Sequence, residues 1–218
     1  MNNETSLSLR LRQQRESARF DSKKASLAAK RFFDIVFALT ALLIFFIPCI
    51  FIALAIWAED HHSPIFRQER IGLKGRKFML YKFRSMRIDA EKNNSPALYH
   101  ENDSRLTKVG RFIREHHLDE FPQLWNVLRG DMSFVGYRPE RQFFIDRISE
   151  TRPDYSRLFA IRPGLFSNAT LYNGYTDTIE KMITRLDMDL EYLENRTLML
   201  DAKIIAKTTI SIISGKKF

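Results

Sequence analysis

Two adjacent carboxylates, Asp119 and Glu120, stand just ahead of Pro122 in the run Leu118-Asp119-Glu120-Phe121-Pro122. Acidic residues before a helix interact well with its dipole, so capping is their plain structural role. Their setting points further. The same half of the chain carries Lys82, Arg84, Arg111, Arg114, Arg138 and Arg162 close to glycine and proline turns. An acidic pair among cations suits a divalent metal and a phosphate together, because Mg²⁺ takes one or two carboxylates plus phosphate oxygens. A carboxylate kept ionised by cations and a helix N-terminus can also attack phosphorus. Other chemistries have less to stand on. His61-His62 and His116-His117 are adjacent pairs without the HExxH spacing of a zinc site. Neither GxGxxG nor GxxxxGK[ST] occurs, and the single cysteine, Cys49, excludes an internal disulfide and a cysteine-based zinc site.

The elements that must position these residues are legible in outline. Ser63–Arg70 and Lys77–Met86 read as extended segments joined by a turn with Gly72 and Gly75. Met79, Tyr81 and Phe83 alternate with Leu80, Lys82 and Arg84, as in a half-buried strand. Residues 87–104 are polar and read as loop. Leu106–His116 has helical apolar spacing, and a second helix runs from Pro122 to about Leu128, with Gly130 placed to end it. Residues 140–160 read as helical, and Arg162-Pro163-Gly164 as a turn. Thr178–Asn195 and Leu198–Ile213 read as amphipathic helices, the second able to close the core or lie on a membrane.

Upstream, the chain changes character. Residues 1–31 hold eight basic and three acidic residues and read as a basic arm, partly helical at best, suited to anionic headgroups. Phe32–Ala58 is apolar with one charge, Asp34, expected to pair with a nearby Arg or Lys. As a straight helix, residues 32–58 would be roughly 40 Å long, enough to cross a hydrocarbon core. Pro48 sits near its middle and both flanks are basic, so the positive-inside rule finds no asymmetry. A bent span and a re-entrant hairpin turning at Pro48 fit equally. Residues 59–218 then form one membrane-apposed domain, and the fold class is α+β, helix-dominated, with a small β-hairpin. A net charge of +9 calls for anionic partners: nucleic acid, anionic lipid or phosphorylated small molecules.

Several blocks stand in order: Ser63-Pro64-Ile65-Phe66-Arg67-Gln68, Tyr81-Lys82-Phe83-Arg84-Ser85-Met86, Thr107 to Arg114, Leu118 to Ser133, and Val135-Gly136-Tyr137-Arg138-Pro139-Glu140. From about Lys30 to about Thr208 the chain resembles the bacterial sugar transferases. These are monotopic phosphoglycosyl transferases that start polysaccharide and glycoconjugate assembly, and the length matches the small form. The resemblance implies a re-entrant helix and a site at the cytoplasmic face of the bacterial inner membrane. It implies that Asp119 attacks the β-phosphate of a UDP-sugar and releases UMP, with Glu120 binding Mg²⁺ beside it. Undecaprenyl phosphate would then take the phosphosugar, starting an exopolysaccharide, capsule, O-antigen or glycoprotein glycan. It further implies that Lys82, Arg114 and Arg138 order the site or bind phosphate, with Arg84 and Arg162 as weaker matches.

The chain departs from the family pattern at Ile47-Pro48, where members have Ser-Pro, and at Tyr137-Arg138-Pro139, where many have Pro-Arg-Pro. It also departs over Leu165 to Thr170 and at Tyr175 after Asn173-Gly174. The last three fall where nucleotide or sugar contacts are expected; the dyad is untouched. A competing expectation is a membrane-tethered RNA- or anionic-lipid-binding protein without catalysis. No RNA-binding motif accompanies it, and aromatic residues are not interleaved with the basic ones as in a stacking platform. A transferase fold with a decayed donor site is a third reading. A homodimer is compatible with all three.

Overall fold

The computed structural model describes residues 2–91, 98, 103–173 and 176–214, with the side chains of 2–25, 173 and 213 outside the description. The Asn173-Gly174-Tyr175 departure and much of the loop after residue 91 therefore lie beyond what is described.

One helix, α1, runs Asn2–Asp60 with Pro48 inside it. Two expectations change here. The basic stretch is helical throughout rather than partly, because propagation from a formed helix fixes one residue per bond gained. The apolar segment shows no break in secondary structure at Pro48. Asp34 also finds a different partner. It is 5% exposed and accepts from the Ser133 hydroxyl at 3.0 Å and the Phe134 amide at 2.9 Å, rather than pairing first with a cation.

The domain holds the apolar segment of this helix at both ends and in the middle. Lys30 Nζ lies 2.6 Å from Asp201, and Arg31 donates to the carbonyls of Val127 and Leu128 at 2.7 and 2.8 Å. Midway, the Phe45 and Phe121 rings lie 4.4 Å apart. At the far end Glu59 accepts from the amides of Lys108 and Val109, and Asp60 pairs with Arg84.

Strands β1 (Ile65–Ile71) and β2 (Lys77–Phe83) form an antiparallel hairpin with Arg67 opposite Tyr81 and Phe66 opposite Lys82. The strand is half-buried as read, but Met79, Tyr81 and Phe83 do not form its buried face: Phe83 is buried and Met79 is exposed. Leu80 is buried on the face it shares with the partly buried Lys82. Helix α2 is Lys108–Glu115, capped by Thr107, and α3 is Gln123–Arg129. Asn126 of α3 accepts from the Tyr81 amide at 3.1 Å and donates to the Met79 carbonyl at 2.7 Å. One side chain thus satisfies the free edge of β2 and fixes the hairpin against α3. Gly130 ends α3 at φ 88°, a left-handed position that suits glycine.

Strand β3 (Ser133–Val135) pairs in parallel with β4 (Gly164–Phe166). Gly164 is more than a turn residue. A Cβ there would meet the Gly136 amide at 2.1 Å, so close strand approach requires glycine. The region 140–160 divides into α4 (Gln142–Ser149) and a 3₁₀ run over Pro153–Ala160. Helices α5 (Asn168–Asn173), α6 (Ile179–Asn195) and α7 (Leu198–Ile213) complete the chain. The apolar stripe of α6 enters the main core through Met182, Leu186 and Leu190, and α7 contributes Ile204. Thus α7 closes the core.

Candidate active site

The carboxylate pair sits in a tight 3₁₀ turn, Leu118–Glu120, one step upstream of α3. His117 enters that turn with φ 56°, an uncommon backbone for a non-glycine residue. Pro122, not either member of the acidic pair, holds the cap position of α3 and makes no side-chain capping bond.

Asp119 is 4% exposed. Two cations close on its neighbour: Lys82 Nζ lies 2.9 Å and Arg138 Nη2 2.7 Å from the same oxygen, Glu120 Oε1. Neither bond goes to Oε2 or to Asp119. The electrostatics of the pair split accordingly. Burial pushes Glu120 up, but the Arg138 and Lys82 charges and hydrogen bonds outweigh it and hold Glu120 well below the usual carboxylate range. For Asp119 burial wins over Lys82 and Arg114, with Glu120 adding to it, and the carboxyl is held above its ordinary value. The protein's own groups thus favour the ionised form of Asp119 less than that of Glu120, a weaker hold than the sequence reading supposed. Burial also lowers Lys82 and His117, while Glu120 raises Arg138.

A second layer fixes these groups. Glu140 is buried and held by Arg70 at 2.8 Å and Arg185 at 2.6 Å, which anchors the segment bearing Arg138. Asp189, pushed up to about 6 by burial, accepts from the Ser167 hydroxyl at 2.7 Å and from the Arg138 amide at 3.4 Å.

The dyad opens into a cavity of about 890 Å³, a volume typical of small-molecule sites. Lys82, Arg114, Arg138 and His117 line it beside the carboxylates. Much of the remaining lining is apolar, including Phe37, Ala41 and Ile44 from α1 and Ile205 and Ile212 from α7. The arrangement places anion-binding groups and apolar side chains in one chamber.

Of the cations singled out from sequence, Lys82, Arg114 and Arg138 meet at the dyad. Arg84 lines the cavity, but its guanidinium is engaged with Asp60 and the Ser63 and His62 carbonyls, so it ties the end of α1 to β2. Arg162 is not among the cavity residues; it donates to the Gly130 carbonyl at 2.8 Å and closes the end of α3. Pro48 lies in α1, three residues beyond Phe45, which packs on Phe121 next to the dyad. Sequence reasoning missed His117, weighing it only as a metal ligand. It also missed the α1 and α7 wall, whose residues at i, i+3, i+4 and i+7 look like any amphipathic stripe.

Among the described residues no group of three or more His, Cys, Asp or Glu side chains could hold a metal alone. Asp119 and Glu120 still fit a divalent ion shared with phosphate. Glu120 Oε2 takes neither cation bond, and both carboxylates line the cavity, where substrate phosphate oxygens could complete the shell.

The profile of the bacterial sugar transferase family matches residues 25–215, and the chain belongs to that family. It is 40% identical over 190 residues to the UDP-glucose:undecaprenyl-phosphate glucose-1-phosphate transferase of Caulobacter vibrioides, covering 85% of this chain and 70% of that protein. It is 36% identical over 186 residues to the UDP-N-acetylgalactosamine-undecaprenyl-phosphate N-acetylgalactosaminephosphotransferase of Aeromonas hydrophila (85% and 44%). It is 38% identical over 205 residues to the galactosyl transferase CpsE of Streptococcus agalactiae (88% and 44%). The chain thus spans less than half the length of the last two relatives.

Proposed function

We propose that the chain transfers a sugar phosphate from a UDP-sugar to undecaprenyl phosphate, releasing UMP, as the first membrane step of a bacterial glycan. The observation that carries this reading is the Asp119-Glu120 turn, with Asp119 buried, in a cavity lined both by cations and by apolar side chains. A water-soluble anionic donor and a lipid phosphate acceptor need both surfaces. The names of the relatives support the same donor and acceptor classes.

In this account an Asp119 oxygen attacks the β-phosphorus of the donor. The bond from that phosphorus to the bridging oxygen breaks, and UMP leaves with the oxygen. The phosphosugar is held as an acyl phosphate on Asp119. A phosphate oxygen of undecaprenyl phosphate then attacks the same phosphorus, and the acyl bond breaks to restore the carboxylate. Lys82, Arg114 and Arg138 offset the charge of two approaching anions. Glu120, kept ionised by Lys82 and Arg138, and Asp119 would hold Mg²⁺, which supplies charge neutralisation to the phosphates and favours the ionised form of Asp119. Arg84 and Arg162 act on the frame, not on phosphate.

The same reading sets the topology. Lys30 and Arg31 at one end of the apolar segment, and Glu59 and Asp60 at the other, all contact one domain. A helix crossing about 30 Å of hydrocarbon would carry one of these ends to the far side. We therefore read α1 as entering one leaflet and returning, bending at Pro48 without losing its helix, at the cytoplasmic face of the inner membrane. Nothing in the contacts of the described residues or in the names of the relatives favours a non-catalytic binding protein.

The test is nucleotide release by protein in nanodiscs with Mg²⁺, undecaprenyl phosphate and a panel of UDP-sugars. UMP release that depends on the lipid acceptor is expected. UDP release would mean ordinary sugar transfer and would overturn the mechanism.

A further inference from the structure

The departure from the family pattern over Leu165 to Thr170 has a structural counterpart. Leu165, Phe166, Ser167 and Thr170 line the cavity that holds the dyad, and so do Thr208 and Thr209 of α7. Two of these side chains are anomalous. The Thr170 and Thr208 hydroxyls are buried and without a hydrogen-bond partner, and Thr208 as a whole is 4% exposed. Leaving such a hydroxyl unmet is costly, so each orphan is informative. Other polar groups nearby are satisfied within the protein: the Ser167 hydroxyl by Asp189 at 2.7 Å, and Thr176 by Arg185 at 2.8 Å. The two orphans lie on adjoining elements. Lys207, next to Thr208, donates to the Tyr172 hydroxyl at 2.8 Å, and Tyr172 is two residues from Thr170.

Resting on the proposed function, we infer that Thr170 and Thr208 form the subsite that reads the sugar ring of the donor, and so help set which UDP-sugar is used. A hydroxyl can donate to and accept from a sugar hydroxyl or an acetamido group. The isoprenoid chain of the acceptor offers neither, so the orphans argue for the sugar over the lipid at this wall. Leu165 and Phe166 beside them suit the C–H face of a pyranose. A site built to hydrogen-bond a hydroxyl discriminates strongly against an analogue that lacks it or turns it away.

The experiment compares binding of UDP with binding of the best-turned-over UDP-sugar, chosen from the glucose, galactose, N-acetylglucosamine and N-acetylgalactosamine forms. It uses the full chain in nanodiscs, as wild type, Thr170→Val, Thr208→Val and the corresponding Thr→Ser variants. Melting temperatures establish folding, and Thr170→Val at the partly exposed position serves if Thr208→Val does not fold. The Val variants are expected to bind the UDP-sugar roughly three- to tenfold more weakly, with UDP binding unchanged, and to shift the ratio of kcat/KM between donors. The Ser variants are expected to stay near wild type. Val variants that bind UDP and UDP-sugar like the wild type would overturn the inference. So would an intact sugar contribution with a raised KM for undecaprenyl phosphate, which would assign the wall to the acceptor. A wild type that neither binds UDP-sugars nor releases UMP would instead bring down the proposed function itself.

Discussion

Lys82 of β2 donates to Glu120 Oε1 at 2.9 Å and not to Asp119, the residue next to it. Arg138 takes the same oxygen, so two cations are committed to one carboxylate, and its neighbour is buried with only their longer-range field. The pair is therefore divided: Glu120 is pushed down by its two cations and Asp119 is pushed up by burial. Lys82→Met should lower stability by about 2 kcal/mol, because Glu120 loses one of two partners in a largely buried site. The same variant should lose most turnover. Denaturant melts at neutral pH and UMP release check both. Glu120 is held below its unfolded value, so its contribution to stability is present above that value and lost as pH falls through the folded one. The gap between wild type and Lys82→Met should accordingly narrow in acid.

Asp119 carries the opposite sign. Burial holds its folded-state value above the ordinary one, so the group favours folding below about pH 4 and that contribution is lost as pH rises through the folded value. Asp119→Asn should therefore melt a few degrees higher than wild type near neutral pH, while turnover disappears. The difference in melting temperature should close as the pH approaches about 4. An Asn variant less stable than wild type across the whole range would contradict the buried-charge assignment.

Arg162 separates the reading from residue type from the reading from position. It was a candidate phosphate ligand by sequence, yet its guanidinium closes the end of α3 at Gly130. Arg162→Met should cost about 1 kcal/mol, as lost helix C-terminal interactions do. kcat/KM for the UDP-sugar should stay within about twofold, less than the loss of one neutral hydrogen bond to substrate would cause. Steady-state kinetics beside thermal melts decide it.

What the sequence disclosed and what it hid follow a physical division. The hairpin, α2, α3, α6 and α7 announce themselves through periodicity and through the stop signal at Gly130, and the dyad through its ordered neighbours. Strands β3 and β4 are three residues each, too short for any alternation to register, and they pair across about thirty residues of chain. Their placement depends on the close approach at Gly136 and Gly164, which no local pattern reports. The partner of Asp34 was hidden for the same reason. A backbone amide at Phe134 carries no signature in residue type, whereas a nearby lysine does. The cations were legible as a set but not by role, since only the fold commits Arg84 to Asp60 and leaves Arg138 at the dyad.

Asp34 yields its own prediction. Asp34→Ala would leave the Phe134 amide and Ser133 hydroxyl buried without their acceptor, and should destabilise by about 2–3 kcal/mol. Asp34→Asn keeps an acceptor oxygen and should lose less. Detergent-stable melts of the two variants should rank Ala below Asn; equal melting would mean the contact contributes little.

The topology can be read with the native cysteine replaced and single cysteines placed at Leu27 and His61, on either side of the apolar segment. Both should react with an impermeant maleimide from the same side of sealed vesicles. Labelling from opposite faces would make α1 a span.

The central claim is that Asp119 carries the phosphosugar between donor and acceptor. Its most direct test is incubation with a UDP-sugar labelled at the β-phosphorus, with Mg²⁺ and without undecaprenyl phosphate, followed by denaturation and measurement of label on the chain. The account predicts label on the wild type that is chased into lipid when undecaprenyl phosphate is added, and none on Asp119→Asn. Label on Asp119→Asn, or lipid product formed at the wild-type rate by that variant, would contradict it.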